Sequence, residues 1–423
     1  MENKTSSNRA PKAGGDQPLP AKPKDKPAKK EGSTAKQEKA QKKAAAKAAR
    51  AAGGKDNKPK GKDTTSATAL AESKKLPLVA HLEERIYPPT TAGAPPGVHP
   101  LVRSVGLQFA EFKICGSNAR CIAMLQAFKQ VIEDYQTPPY TTLCRHLPTY
   151  LSPQINYLVS MRPLAVAMGN AVRFLKLNIS FLGIDIPESD AKQKLIEGID
   201  EFIRERIIVA DRVIVQYGLQ KIQDGDVVLT YSCSSVVKAV LLAAHQKNIR
   251  FRVIVLDSRP LLEGRKLLQD LVDAGIQCTY SYLNSASYVM KQVTKVFLGT
   301  HAVLSNGALF SRAGTALVAM TAYDRNIPVI VCTETYKFTE RVQLDSFVWN
   351  EVGNPHALIQ GPGEGPVIAN EKAPLEQWES SPNLRLLSLL YDVTPTDYLT
   401  MAITEVGMLP FTSVPVVLRE YRI

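Results

Sequence analysis

Val227–Leu241 reads VVLTYSCSSVVKAVL, and Phe297–Met320 reads FLGTHAVLSNGALFSRAGTALVAM. Each begins as an apolar, β-branched run and passes through small residues. Each then resumes with apolar residues at helical spacing, so both predict a buried strand, a tight turn and a helix. In an open α/β sheet that arrangement places helix N-terminal amides at the carboxyl end of a strand, where anions bind. Ser232, Cys233, Ser234 and Ser235 fall at one expected helix start and Gly314-Thr315 at the other. Arg259, in LDSRPLLEG, is placed to project toward the same crevice. Two uses of such a crevice stay open. One is a ligand site for a sugar phosphate or nucleotide. The other is ordinary helix capping by Ser and Thr, with a protein contact filling the cleft.

The two segments resemble the active-site segments of the sugar-phosphate isomerases acting on methylthioribose 1-phosphate and ribose 1,5-bisphosphate. In that pattern the first strand ends in Thr-His-Cys-Asn, and the second segment carries Gly-Ala-Asp-Arg followed by Asn-Gly-Asp. Thr230 matches the Thr, but Tyr231 stands at the His position and Ser232 at that of the catalytic Cys. Gly299 matches the Gly, His301 stands at the catalytic Asp, and Asn306-Gly307 match the Asn-Gly. A serine hydroxyl is a far weaker acid than a thiol, and His301 is no carboxylate base. The resemblance therefore implies a relative without the proton-transfer chemistry, whose vestigial crevice comprises Ser232, Cys233, Ser234, Arg259, His301 and Asn306. An active aldose–ketose isomerase is the alternative.

Charge divides the chain. Residues Met1–Lys75 hold 20 Lys/Arg against 8 Asp/Glu, a surplus equal to the whole-chain net charge of +12. The remainder is therefore neutral, and a pI near 9.3 does not describe a basic fold. The arm 1–75 is rich in Lys, Ala, Pro and Gly, with too little apolar surface to offset its ordering entropy, and it is expected to be disordered. Thr34–Ala52 has helix propensity and a Thr34/Gln37 capping box but no apolar stripe. Its lysines would give a weak, nonspecific hold on RNA or ribosomes, or merely keep the chain in solution. Aromatic residues do not interleave them, which excludes base stacking.

No apolar run from Leu76 to Ile423 reaches the ~18 to 20 residues of a membrane helix. An apolar secretory core is not visible near Met1, so a cytosolic location is expected. The six cysteines form no CxxC pair, which argues for reduced thiols and against a metal site. No cofactor motif is present.

The expected architecture is α/β: the basic arm (1–75), a helical domain (76–218) and a Rossmann-like parallel-sheet domain (219–423). In the helical part, Ile122, Leu125, Phe128 and Ile132 recur at helical spacing after Ser117 or Asn118 as cap, and Thr137-Pro138-Pro139 ends that helix. Leu164–Leu177 forms a second helix. A third runs from Pro187 through Leu195, Ile199, Phe202 and Ile207 toward Val215 and is long enough to bridge the domains. Strands are expected at Val227–Tyr231, Phe251–Leu256, Cys278–Tyr282, Ala302–Leu304 and Val329–Cys332. Helices are expected at Val236–Gln246, Leu261–Asp273, Tyr288–Val296 and Ala316–Arg325. Such alternation argues for a parallel sheet covered on both faces. Glu351–Asn383 shows neither period and reads as irregular, before order resumes at Tyr391–Leu418.

Across Val102–Ile423 the chain resembles the regulatory alpha, beta and delta subunit family of translation initiation factor 2B. The residues carrying this are Gly116–Cys121 (GSNARC), Tyr135–Pro139 (YQTPP), Arg162–Phe174 (RPLAVAMGNAVRF), Leu256–Gly264 (LDSRPLLEG) and Ser305–Thr315 (SNGALFSRAGT). The lysine-rich arm favours the delta branch. The resemblance implies a non-catalytic subunit of a guanine-nucleotide exchange factor. It would assemble with alpha, beta, gamma and epsilon subunits, two copies each, into a decamer. It would also help bind initiation factor 2 and sense phosphorylation of that factor's alpha subunit. Arginine forks suit phosphate, so Arg120, Arg162 and Arg173 are the candidate contacts.

Overall fold

The computed structural model describes residues 76–82, 95–183, 185–359, 375, 378–381 and 383–420. The arm 1–75, with its expected Thr34–Ala52 helix, lies outside these residues, as does much of Glu351–Asn383. The described residues form one compact unit.

The helical part comprises α1 (Pro100–Ala110), α2 (Ser117–Asp134), α3 (Leu143–Met161), α4 (Val166–Ser180) and α5 (Glu188–Phe202). A π-helical stretch, Ile203–Val209, joins α5 to α6 (Ala210–Leu219), so the expected bridging helix is continuous in direction but wound differently at its centre. Gly116, not Ser117 or Asn118, is the N-cap of α2, with φ +86° that favours glycine. Both expected cap residues are instead buried inside the helix. The helix α3 contains Pro148 and Pro153, which is why sequence reading passed over it. Phe109, Phe128, Leu147, Leu151 and Leu158 form the core of this layer, and Tyr336 reaches into it from the sheet side.

The main sheet has the order β11-β10-β7-β4-β1-β2-β3. Its strands are β1 (Val227–Tyr231), β2 (Arg252–Asp257), β3 (Gln277–Tyr282), β4 (Lys295–Gly299), β7 (Val329–Cys332), β10 (Met401–Thr404) and β11 (Gly407–Leu409). All neighbours are parallel except β10 and β11. Its helices α7 (Ser235–Gln246), α8 (Gly264–Asp273), α9 (Thr315–Asp324) and α10 (Val414–Glu420) complete the alternation. Every residue of β1 is buried, as a strand covered on both faces requires. The chain moves from β1 outward to β2 and β3, then returns to pair β4 on the other side of β1. The topological switch point therefore lies between the carboxyl ends of β1 and β4.

Two expectations fail locally. Of the expected Tyr288–Val296 helix only Tyr288 and Val289 are α-helical, as the end of a short helix Ala286–Val289, because the β-branched run from Val293 feeds β4. And Phe297–Met320 is not one strand, turn and helix. Between β4 and α9 it inserts an antiparallel hairpin, β5 (Ala302–Leu304) and β6 (Leu309–Arg312). With β8 (Phe338–Thr339) and β9 (Tyr391–Thr394), that hairpin forms a second sheet in the order β8-β5-β6-β9.

Candidate functional site

The crevice at the carboxyl ends of β1 and β2, next to the switch point, is filled by the chain's own side chains. Ser232, the residue that follows β1, at φ +59°, donates its hydroxyl to Glu263 at 3.2 Å. Arg312, at the end of β6, grips the same carboxylate with Nε and Nη2, both at 2.7 Å. Burial works to raise the Glu263 carboxyl, but Arg312 holds it below its usual range and therefore ionised. Tyr231 donates to the Ala313 carbonyl and lies 2.7 Å from the Ser258 hydroxyl. A Cβ on Gly314 would sit 2.4 Å from the Tyr231 hydroxyl, so a side chain there would displace the ring. The space that remains is about 40 Å³, lined by Tyr231, Ser232, Asp257, Arg259, Glu263 and Arg312 among others.

The two helix N-termini are occupied as well. Ser234 caps α7, accepting from the Val237 amide at 3.4 Å, and packs so closely on Gly299 that a Cβ there would lie 2.3 Å from its Oγ. Asp392 accepts from the amides of Gly314 at 2.7 Å and Ala316 at 2.9 Å, capping α9. Burial pushes the Asp392 carboxyl up to about 7, against the pull of those amides.

Of the expected crevice residues, the structure brings together Ser232 and Arg259 on its lining. Cys233 is exposed beside it and Ser234 serves as a cap. His301 does not face this space. It is buried against Tyr391, ring centroids 4.5 Å apart, and burial together with the charge of Arg120 keeps the imidazole neutral. Asn306 belongs to the hairpin turn, accepting from the Ala308 amide and donating to the Gln343 carbonyl.

The expected partner-binding arginines divide differently from the sequence reading. Arg120 and Arg162 are both 0% exposed and cannot meet a partner in this fold. Arg162 donates to Glu351 at 3.0 Å and to the Tyr391 hydroxyl at 3.1 Å, and its guanidinium lies over Phe112. Arg120 donates to the Pro163 carbonyl, with Glu351 3.8 Å away. They tie the helical layer to the segment before β9, because a buried cation needs a fixed anion. Arg173 alone is exposed.

Sequence reading missed Glu263, Arg312 and Glu351 as charged partners, although the first two stand inside motifs it singled out. Also missed was a buried polar knot at the end of β7. There Glu334 takes Lys337 at 2.6 Å and Asn118 at 2.5 Å, while Tyr336 donates to Asn118 at 2.7 Å. Pairings across more than two hundred residues leave no periodic trace in sequence. Among the described residues, no group of three or more His, Cys, Asp or Glu could hold a metal ion, and no helix is long and apolar enough to cross a membrane.

Residues 113–411 match the Initiation factor 2 subunit family. The chain is similar to the protein named translation initiation factor eIF2B subunit delta in Schizosaccharomyces pombe. The two are 49% identical over 366 residues, spanning 86% of this chain and 78% of the relative. With the delta subunit of Dictyostelium discoideum it shares 51% identity over 325 residues, 77% of this chain but only 52% of that longer relative. The ribose 1,5-bisphosphate isomerase of Pyrococcus furiosus is 30% identical over 62% of this chain and 78% of its own length. Among solved structures, the tetrameric eIF2B beta2-delta2 complex of Chaetomium thermophilum contains a chain that superposes with a TM-score of 0.66 at 37% identity. That match covers 79% of this chain and 99% of the other.

Proposed function

The chain belongs to the Initiation factor 2 subunit family, and we propose that it is a delta-type, non-catalytic regulatory subunit of the guanine-nucleotide exchange factor for translation initiation factor 2. The observation that carries this reading is the near-half identity to a delta subunit over most of both chains. The crevice supports it. Isomerase chemistry needs a thiol and a carboxylate base facing one cavity, whereas Ser232 is tied to Glu263 and the neutral His301 ring is buried against Tyr391.

The subunit works as a docking platform with alpha, beta, gamma and epsilon partners, two copies of each, in the cytosol. A pairing with beta through the α/β part is supported by Leu317, Met320 and Tyr323, which leave an apolar surface on α9 exposed. Arg173 on α4 is the remaining candidate for contact with the phosphorylated alpha subunit of initiation factor 2. The arm 1–75 adds at most a weak electrostatic hold on RNA.

Affinity purification through this chain, followed by native mass measurement, tests the reading. Recovery of four other subunit types with initiation factor 2 is expected. A lone homodimer, or ketose formation from ribose 1,5-bisphosphate by the pure chain, overturns it.

A further inference from the structure

Glu263 and Arg312 meet inside the crevice from different parts of the fold, and their geometry has a chemical meaning beyond stability. Arg312 ends a strand of the second sheet, its guanidinium held over the Tyr391 ring at 5.0 Å. Ser232 directly follows β1 of the main sheet. Both aim donors at one point, and at that point the chain supplies a carboxylate from the residue preceding α8. The planar fork of an arginine receives a carboxylate and a phosphate in the same two-bond geometry. With Glu263 seated, only about 40 Å³ of free space remains beside the pair, and the two Arg312 donors and the Ser232 hydroxyl that would meet a phosphoryl group are already bound to its carboxylate.

We propose that Glu263 is a built-in occupant of an anion site: its carboxylate takes the place of a small phosphorylated ligand between Arg312 and Ser232, and the crevice is closed to such ligands while Glu263 is seated. This rests on the non-catalytic reading and deepens it, because it names what fills the crevice. The fork is pre-organised without Glu263, since its stacking on Tyr391 and its strand position come from other elements. Removal of the negative charge alone therefore leaves the Arg312 fork and the Ser232 hydroxyl converging on one point, with Asp257 the carboxylate left on the lining, and inorganic phosphate is the simplest anion to fit that fork. Glu263→Gln keeps the length and planarity of the side chain and deletes only the charge.

The experiment uses the full chain, melted in chloride and in phosphate at matched ionic strength, with calorimetric titration of inorganic phosphate and ribose 1,5-bisphosphate. The wild-type melting temperature is expected to be the same in both buffers, with no heat of binding. Glu263→Gln is expected to melt lower in chloride and to recover by roughly 5 °C at a hundredfold excess of phosphate over its Kd. Adding Arg312→Met should abolish that recovery. If Glu263→Gln does not fold in chloride, refolding in phosphate is read instead, and recovery supports the proposal. Phosphate binding by the wild type, or a variant indifferent to phosphate in both assays, overturns it. Ketose formation would sink the non-catalytic reading, whereas wild-type binding without turnover would sink this inference alone.

Discussion

Arg162 at the end of α3 and Glu351, on the segment leading to β9, form an ion pair of 3.0 Å with side chains 0% and 1% exposed. One carboxylate serves two buried arginines, since Arg120 lies 3.8 Å from its other oxygen. Removing Glu351 therefore leaves two cations without their shared anion. Glu351→Ala is expected to cost about 3–5 kcal/mol in denaturant unfolding, the usual scale for breaking a buried pair. Charge reversal at Arg120 should likewise unfold the chain, whereas Arg173→Glu should leave stability unchanged within about 0.5 kcal/mol.

Gly299 and Ser234 hold β4 against the start of α7. Gly299→Ala would bring its Cβ to 2.4 Å from the Ser234 Cβ, so one element must move. A loss of about 1–3 kcal/mol is expected, the range for overpacking a dense core. Ser234→Gly in the same chain should recover part of it, and thermal melting of the single and double variants measures the coupling. Additive losses would show that the two residues do not collide.

Asp211 on α6 faces Glu334, with Lys337 and Glu405 also acting on it. Burial, then the charge of Glu334, pushes its carboxyl from 3.8 up to about 8. Unfolded Asp211 ionises near its ordinary value of about 3.9, so the folded chain binds more protons between roughly pH 4 and pH 8. Its contribution to stability is thus present at acid pH and lost as pH rises through that window. Asp392, pushed up to about 7, acts in the same direction. Asp211→Asn should flatten the fall in melting temperature between pH 6 and pH 8 (about the upper half of that window). An unchanged slope would show that Asp211 is ionised in the fold.

Met320 lies on the exposed apolar surface of α9, 44% exposed in the single chain. A buried, unpaired charge in an interface core is strongly disfavoured. Met320→Glu is therefore expected to weaken the proposed pairing of α9 with a beta-type partner at least tenfold, about 1.4 kcal/mol, without lowering the melting temperature of the isolated chain. Sedimentation of wild-type and variant chains with that partner measures the difference.

Much of the α/β part was legible because buried parallel strands write continuous apolar runs. Val227–Tyr231, Ala302–Leu304 and Val329–Cys332 appear at their expected bounds. The errors have local causes. Pro148 and Pro153 hid α3, since neighbouring packing can hold a helix across prolines that propensity forbids. Strand β6, the other half of the hairpin that Ala302–Leu304 begins, was read through because it is only four residues long and ends on a charged residue. Ser232 lies on the crevice lining, whereas His301, Arg120 and Arg162, read from type and position alone, are buried elsewhere.

The sequence by itself determined the α/β class, the neutrality of the chain beyond residue 75, and the absence of a thiol at the end of β1. Those properties are local: periodicity, composition and residue identity are all carried by neighbours along the chain. Only the tertiary structure decided that Glu263 meets Arg312 across 49 residues, and Arg162 meets Glu351 across 189. Whether an arginine greets a partner or is neutralised inside the fold depends on which anion folding brings beside it. Desolvation makes that pairing obligatory for a buried charge, and no pattern along the chain encodes it.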